Sequence, residues 1–304
     1  MKPISSVTRR KNNRFWYCFI NTAVLACALI VFGITYQPVL VPLFGSCRVG
    51  LLSLFFTVLG VHIIKALRLY LAMYGNPVNT WEYLKTYCKV TPVSLLLPYK
   101  LGEFFRMYCY GVLLKDFWKG TIIVLLDRFM DLSALVTWLL ILGLLAKSSV
   151  GLLVCLFLFV MAVLLGAYFI FPGFYTFWKN YYLAAAATPS TLRYLKYLDV
   201  LAHIHRQVKS VVQGRGIILY ALSVLAWGME LINLWIVSKS VPFAQLTAKI
   251  TSYLSAALTN GPCPTLREFV ALSIVLLAIT YVLLQVGKLF FKREKIYENN
   301  YLLR

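Results

Sequence analysis

The sequence predicts an all-α protein, a polytopic bundle of membrane helices with about six full spans and two shorter re-entrant or interfacial helical hairpins. Hydrophobic residues make up 61% of the 304 positions and the mean hydropathy is +0.78, whereas soluble domains are roughly 45–50% apolar. Only 13% of the residues are charged. Apolar runs of about 20 residues, the length that crosses a bilayer, recur along the chain. These observations predict a single integral membrane domain over residues 1–304.

The six predicted spans follow the apolar runs. The first run comes after a basic segment and so has the general layout of a signal peptide. Its length of about 20 residues exceeds the roughly 7–15 of a signal, and no clear A-x-A cleavage site follows, which favours a retained anchor. The windows are 15–34, 50–72, 120–146, 149–171, 216–238 and 267–289.

The basic residues predict the orientation of the spans. Lys and Arg number 30 against 10 acids, a net charge of +20. They gather before span one, between spans two and three, between spans four and five, and after span six, while the opposite segments contain only Arg48, Lys147, Lys239 and Lys249. By the positive-inside rule both termini are cytoplasmic. We therefore expect a multi-pass protein of the plasma (inner) membrane whose basic loops face anionic lipids, and no nucleic-acid partner.

Two connecting segments are too apolar for solvated loops. Residues 79–114 and 241–264 each contain a short apolar stretch broken by proline, a pattern typical of re-entrant or interfacial helices. KLGEFF comes after Pro98, and TLREFV comes after Pro262 and Pro264. This similarity suggests an inverted repeat with halves 1–146 and 147–304, an arrangement found in transporters.

The longest connection is predicted to lie at the cytoplasmic interface. Residues 172–215 include TLRYLKYLDVLAHIHRQVKSVV, whose aliphatic and basic residues alternate at helical spacing, as in a helix lying among headgroups. His203 and His205 would point about 200° apart on that helix and would not share a metal ion. The seven cysteines contain no CxxC pair, so we predict no disulfide framework, no metal site and no cofactor.

Charged residues inside the apolar segments are the candidate site. An isolated ionised group near the bilayer centre costs at least about 2.5–3.5 kcal/mol, so such residues pair, become neutral or line a wet cavity. Asp127 and Asp131 are spaced i,i+4 and share a helix face. Two hypotheses explain these charged residues. In the first, they carry an excess of positive charge that binds an anionic headgroup; in the second, they form a buried ion-pair network that locks helices together. The predicted inner group is Lys65, Arg68, Lys100, Glu103, Arg106, Asp127, Arg128 and Asp131.

Glu230 is the acid of span five. By the predicted orientation it lies toward the outer half of the membrane, where it could form a second polar site with Arg267 and Glu268. The alternative is a protonated Glu230 that is hydrogen-bonded to a neighbouring helix, since burial disfavours the charged carboxylate.

Several of these residues form a pattern that resembles a known family. Pro98-Tyr99-Lys100-Leu101-Gly102-Glu103 with Arg106, then Asp127-Arg128 and Asp131, and finally Pro262, Pro264 and Glu268 resemble motifs of the lysylphosphatidylglycerol synthase transmembrane-region family. Tyr99 stands where that family usually has glycine, and CPTLRE lacks the glycines of the late motif. The resemblance implies a flippase-like protein that moves aminoacylated phospholipids, or polyprenol- or glycan-linked lipids, between leaflets. It also implies a lipid-modifying synthase or glycosyltransferase partner.

Three functions therefore compete at this stage. The first is a transporter of a lipid with an anionic headgroup; the chain contains no G-x-x-x-x-G-K-[ST] nucleotide-binding motif, so an enzyme that hydrolyses ATP is disfavoured. The second is a membrane-embedded glycosyl- or phosphotransferase acting on a polyprenyl-phosphate lipid, with an acid as general base. The predicted external loops contain no acid, and the D-x-x-D-G-x-x-A-R pattern of CDP-alcohol phosphotransferases is absent. The third is a scaffold of an envelope-lipid assembly complex.

Overall fold

The computed structural model describes residues 5–45, 48–97, 101–145, 152–184, 189–237, 243–259 and 263–301. Within these ranges the chain forms ten helices and no strand. The helices are α1 (Ser5–Gly45), α2 (Arg48–Ala72), α3 (Thr80–Leu96), α4 (Leu101–Leu114), α5 (Phe117–Leu145), α6 (Leu152–Ala184), α7 (Pro189–Val212), α8 (Gly216–Val237), α9 (Phe243–Thr259) and α10 (Pro264–Tyr301).

Six of these helices are long and apolar enough to cross a membrane, which confirms the predicted polytopic helical bundle. Their apolar segments are 19–39, 50–72, 117–145, 154–184, 216–236 and 264–287. The largest difference from the sequence prediction is in α6, which continues through Pro172 to Ala184. Residues 173–184 are rich in aromatic side chains and extend the helix, so the amphipathic helix of the predicted 172–215 segment is α7 and begins at Pro189.

Helices α3 and α4 form the first predicted hairpin. Asn79 caps α3 by accepting a hydrogen bond from the Trp81 backbone N–H, and α3 runs for 17 residues before α4 returns over 14. At 1.5 Å per residue these helices are about 26 and 21 Å long, shorter than the roughly 30 Å hydrocarbon core. Pro98, Tyr99 and Lys100, which come between α3 and α4 in the sequence, lie outside the described residues.

The second predicted short element is α9, also of 17 residues, followed by the full-length α10. Helix α9 packs on α5, α8 and α10, and its buried Ile250 and Leu254 join an apolar cluster with Leu139 and Leu142 of α5. Pro262 lies outside the described residues, whereas Pro264 begins α10.

Helices α2, α5 and α8 form the centre of the bundle. Ser53 near the start of α2 donates to Asn233 near the end of α8, while Arg215, just before α8, binds backbone carbonyls at the end of α2. The two helices are therefore antiparallel neighbours. At one end of the molecule α2 ends, and α3, α5 and α8 start. We call it the basic end, because it contains the basic residues Lys85, Lys115, Lys119 and Arg215.

Candidate functional site

Arg68 is the centre of the charged site. It is 3% exposed and lies on α2. Its Nε donates to Asp127 Oδ1 (2.8 Å), and its Nη1 donates to Asp131 Oδ1 (2.9 Å) and to Ser223 Oγ of α8 (2.6 Å). The i,i+4 spacing of the two aspartates places both carboxylates on one face of α5, as the sequence predicted, and a single guanidinium joins them. One side chain thus connects α2, α5 and α8.

Arg106 brings the hairpin into the same group. Its Nη2 lies 2.7 Å from Asp127 Oδ2, so this carboxylate is shared by two arginines. Burial by itself lowers the pKa of Arg106, but the carboxylate of Asp127 outweighs this effect and the pKa lies above its ordinary value. Arg106 is therefore a permanent cation that fixes α4 against α5.

Two glycine positions allow this close approach. A Cβ atom on Gly102 would lie 2.4 Å from the Ser94 Cα atom, and one on Gly120 would lie 2.3 Å from the Gly111 backbone nitrogen. Any side chain at either position would push the backbones apart. The contacts between α3 and α4 and between α4 and α5 therefore depend on glycine, and they set the distance at which Arg106 meets Asp127.

Glu103 and Arg128 form the end of the site at the hairpin tip. Glu103 Oε1 accepts a short hydrogen bond from Arg128, and Glu103 Oε2 is 3.9 Å from an Arg106 nitrogen. The Glu103 side chain is 17% exposed and that of Arg128 is 36% exposed, whereas those of Asp127 and Arg106 are 3% and 6% exposed. This end of the network is the more accessible one.

Glu230 bonds to two neighbouring helices. Lys65 Nζ is 3.3 Å from Glu230 Oε1, and the Tyr253 hydroxyl of α9 donates to Glu230 Oε2 at 2.9 Å. Among the described residues no ion pair links Glu230 to Arg267 or Glu268, so the outer site of those three residues stays a prediction. Glu230 bonds to side chains of α2 and α9, and the protonation that the alternative assigns to it also stays a prediction. Burial, followed by the adjacent Glu230 carboxylate, raises the pKa of Tyr253 well above its usual value, so the phenol remains a donor.

Trp227 ties this pair to the central group. Its indole Nε1 donates to the Asp131 carbonyl at 3.2 Å, and the Lys65 ammonium lies 5.3 Å from the centre of its ring. The sequence reasoning missed Ser223, Trp227 and Tyr253. The available signal was a hydroxyl or indole group within an apolar helix, since such groups usually find a partner on a neighbouring helix.

The network is balanced in charge over the described residues. Its members are the cations Lys65, Arg68, Arg106 and Arg128 and the carboxylates Glu103, Asp127, Asp131 and Glu230. The predicted excess of positive charge is therefore not found among them, because Glu230 joins this group; Lys100 lies outside the described residues. Each buried charge has an opposite charge beside it, the condition under which a bilayer tolerates such groups.

Several polar atoms in and beside the hairpin part of the network have no hydrogen bond. Glu103 Oε2, Arg106 Nε, Arg128 Nε and the Tyr110 hydroxyl are buried atoms without a hydrogen bond in the described part of the structure. The Arg106 guanidinium lies 6.0 Å from the Tyr110 ring centre, and one of its nitrogens lies 3.9 Å from Glu103 Oε2. Buried polar atoms in proteins are nearly always hydrogen-bonded to protein, water or ligand. The hairpin part is therefore the part of the network with unused capacity for a polar group.

Glu268 takes no part in the network. It lies in the second turn of α10 and is half-buried. No group of three or more potential metal ligands occurs in the described residues. The chain matches no protein-family model, and neither a curated protein nor a solved structure is similar to it. The resemblance to the lysylphosphatidylglycerol synthase transmembrane region thus stays a prediction.

Proposed function

We propose that the protein moves a lipid with an anionic headgroup between leaflets, and that Arg106 and Arg128 bind the headgroup when it displaces Glu103 from them. The observation that carries this proposal is the contrast within the network: the Arg68–Asp127 centre is buried and paired, whereas at the hairpin end Arg128 is partly exposed, and Arg106 Nε and Arg128 Nε have no hydrogen bond among the described residues. The same proposal places the chain in the plasma (inner) membrane with both termini cytoplasmic, and gives it a lipid-modifying synthase or glycosyltransferase as partner.

The depth of the hairpin end supports a role in crossing the membrane. Glu103 lies about 16 Å along α4 from Leu114, and Asp127 lies about 15 Å along α5 from Phe117, at 1.5 Å per residue. Leu114 and Phe117 both lie at the basic end. In a hydrocarbon core of about 30 Å these side chains are near the middle. A headgroup held there would be partway between the leaflets.

The chemistry supports an exchange of anions. An arginine fork binds phosphate as readily as carboxylate, through parallel hydrogen bonds. A phosphate that replaced Glu103 beside Arg128 and the free Arg106 Nε would keep opposite charges adjacent. Asp127 would hold Arg106 in place during the exchange, because it is bonded from the other side. Glu103 is suited to displacement since its carboxylate makes one hydrogen bond and one longer ionic contact.

The test is lipid movement in proteoliposomes. We expect fluorescent phosphatidylglycerol to reach the far leaflet, measured by its protection from a membrane-impermeant reductant. Glu103→Gln removes the carboxylate that returns to Arg128 when the phosphate leaves, so the headgroup should stay bound to the arginines and its movement should slow by about tenfold or more, since a hydrogen bond to a charged group contributes roughly 1.5–3 kcal/mol. Glu268→Gln is the matched control and should behave as wild type. Equal rates for wild type and Glu103→Gln would refute the proposal.

The balance of charge favours a second candidate, the scaffold. Over the described residues the network is neutral and largely buried, and it locks α2, α4, α5 and α8 together without needing a substrate. A scaffold predicts no lipid movement by the wild type and co-purification with a synthase. A transferase receives less support, because Asp127 and Asp131 are both engaged by Arg68 and neither is free to act as a general base.

A further inference from the structure

A cavity at the basic end is separate from the ion-pair network. Its volume is about 270 Å³, and it lies between the turn after α2 and the adjoining parts of α5, α7 and α8. Gly75 has φ +95° and makes the turn that brings Tyr74 and Asn76 to the rim. Its polar lining includes Asn76, Lys119, Gln207, Ser210 and Arg215.

The polar lining is suited to an anion. It contains two cations, Lys119 and Arg215, together with side-chain amides and a hydroxyl, and no acid. The Lys119 ammonium forms no ion pair with a carboxylate in the described ranges. Its charge is therefore available to a ligand.

Arg215 is held in a fixed position. Its Nη1 donates to the carbonyls of Tyr74 (3.0 Å) and Leu71 (3.3 Å), and the guanidinium lies 5.1 Å from the Tyr74 ring centre. These contacts use one nitrogen and one face of the group. The remaining donors stay beside the cavity on a side chain that has already lost its conformational freedom, which lowers the entropic cost of binding.

The cavity lies one helical turn from the buried network on the same three helices. Ala72 is four residues from Arg68, Ile123 is four from Asp127, and Leu219 lies between Arg215 and Ser223. Leu69, Ile123 and Leu219 are at most 2% exposed and pack in one cluster. A single apolar layer thus separates the cavity from the central arginine.

We propose that this cavity binds a phosphate group, and that in the membrane the phosphate belongs to an anionic phospholipid. Phe117 and Trp118, next to Lys119, are 56% and 53% exposed, and exposed aromatic side chains are typical of the headgroup level. They place the rim of the cavity where lipid phosphates lie. The inference goes beyond the transport site, since binding here requires neither Glu103 nor any movement of lipid.

The experiment measures binding to the purified full-length protein in detergent, using phosphatidylglycerol with a fluorescent acyl chain and fluorescence anisotropy. Lys119→Gln should weaken the binding at this cavity by about tenfold, and Lys119→Glu should abolish this component while any binding at Arg106 and Arg128 remains. The matched controls are Lys209→Gln and Lys209→Glu, because Lys209 is exposed at the same end but does not line the cavity. Each control should change the affinity less than twofold.

Competition identifies the source of the phosphate. If millimolar inorganic phosphate displaces the labelled lipid, the cavity also accepts a free anion; if only unlabelled phosphatidylglycerol does so, the ligand is the lipid. Equal losses in the Lys119 and Lys209 variants would show general surface attraction and overturn the proposal, as would unchanged binding by Lys119→Gln. A protein that binds lipid in this way but fails the transport assay refutes the proposed function and leaves this inference intact.

Discussion

The segments that begin α4 and α10 have similar sequences and different structures. Each follows a 17-residue helix, α3 or α9, and a four-residue connection. Glu103 and Glu268 occupy the same place in KLGEFF and TLREFV, 165 positions apart. Nevertheless Glu103 bonds to Arg128 at the hairpin tip, whereas Glu268 stays outside the network and half-buried.

The residue before each glutamate is one difference between the two segments. Gly102 lets α4 pack closely against the Ser94 backbone, and α4 carries Glu103 and Arg106 to α5. Arg267, which is exposed, occupies the corresponding position of α10. In the structure α4 returns along α3, while α10 continues away from α9 as a full span. We therefore expect the packing of α4, and with it the position of Glu103, to depend on Gly102.

The interval of 165 residues recurs at the centre of the bundle. Lys65 and Glu230 are also 165 positions apart, and they pair with each other. Helices α2 and α8 end at Ala72 and Val237, with the same separation, and run antiparallel. Corresponding residues of an inverted repeat meet at its pseudo-twofold axis. The repeat remains a prediction, and this pairing supports it.

The largest effect should come from the shared carboxylate of the first segment. Asp127→Asn leaves Arg68 and Arg106 buried without their common partner, which should lower the free energy of unfolding by about 3–5 kcal/mol. Glu268→Gln makes the same chemical change at the second segment and should stay within about 0.5 kcal/mol. Unfolding of the detergent-solubilised protein by SDS titration measures both. If both variants lost the same free energy of unfolding, the difference that we infer between the two segments would be contradicted.

An intermediate effect should come from the residues before the glutamates. Gly102→Ala places a methyl group against the Ser94 backbone and should destabilise the protein by about 1–3 kcal/mol. Arg267→Ala, the matched change, should have little effect because Arg267 is exposed. The same unfolding titration gives both values. A tolerated alanine at position 102 would contradict the role we give to the glycine.

The smallest effect should be the coupling across the proposed axis. A double-mutant cycle of Lys65→Gln and Glu230→Gln should give a coupling free energy of about 1 kcal/mol, since Lys65 retains access to solvent that screens the pair. Each single substitution leaves the other charge unpaired, and the double substitution removes both. If the loss of unfolding free energy in the double variant equals the sum of the losses in the two single variants, the pair contributes nothing beyond its separate residues.

The sequence by itself determined the helical class, the six spans and the presence of charges within them. These properties follow from local composition, because a bilayer requires about 20 apolar residues per span and penalises unpaired charge wherever it occurs. The i,i+4 spacing also placed Asp127 and Asp131 on one face, since helix periodicity is local.

Only the tertiary structure decided which charges meet. Glu230 pairs with Lys65 because α2 and α8 are antiparallel neighbours, and no local pattern in either helix specifies that partner. The roles of Ser223 and Tyr253 depend in the same way on helices distant in sequence. The balance of charge in the site is therefore a property of packing: an ion pair requires two side chains within about 4 Å, and that distance is set by helices far apart along the chain.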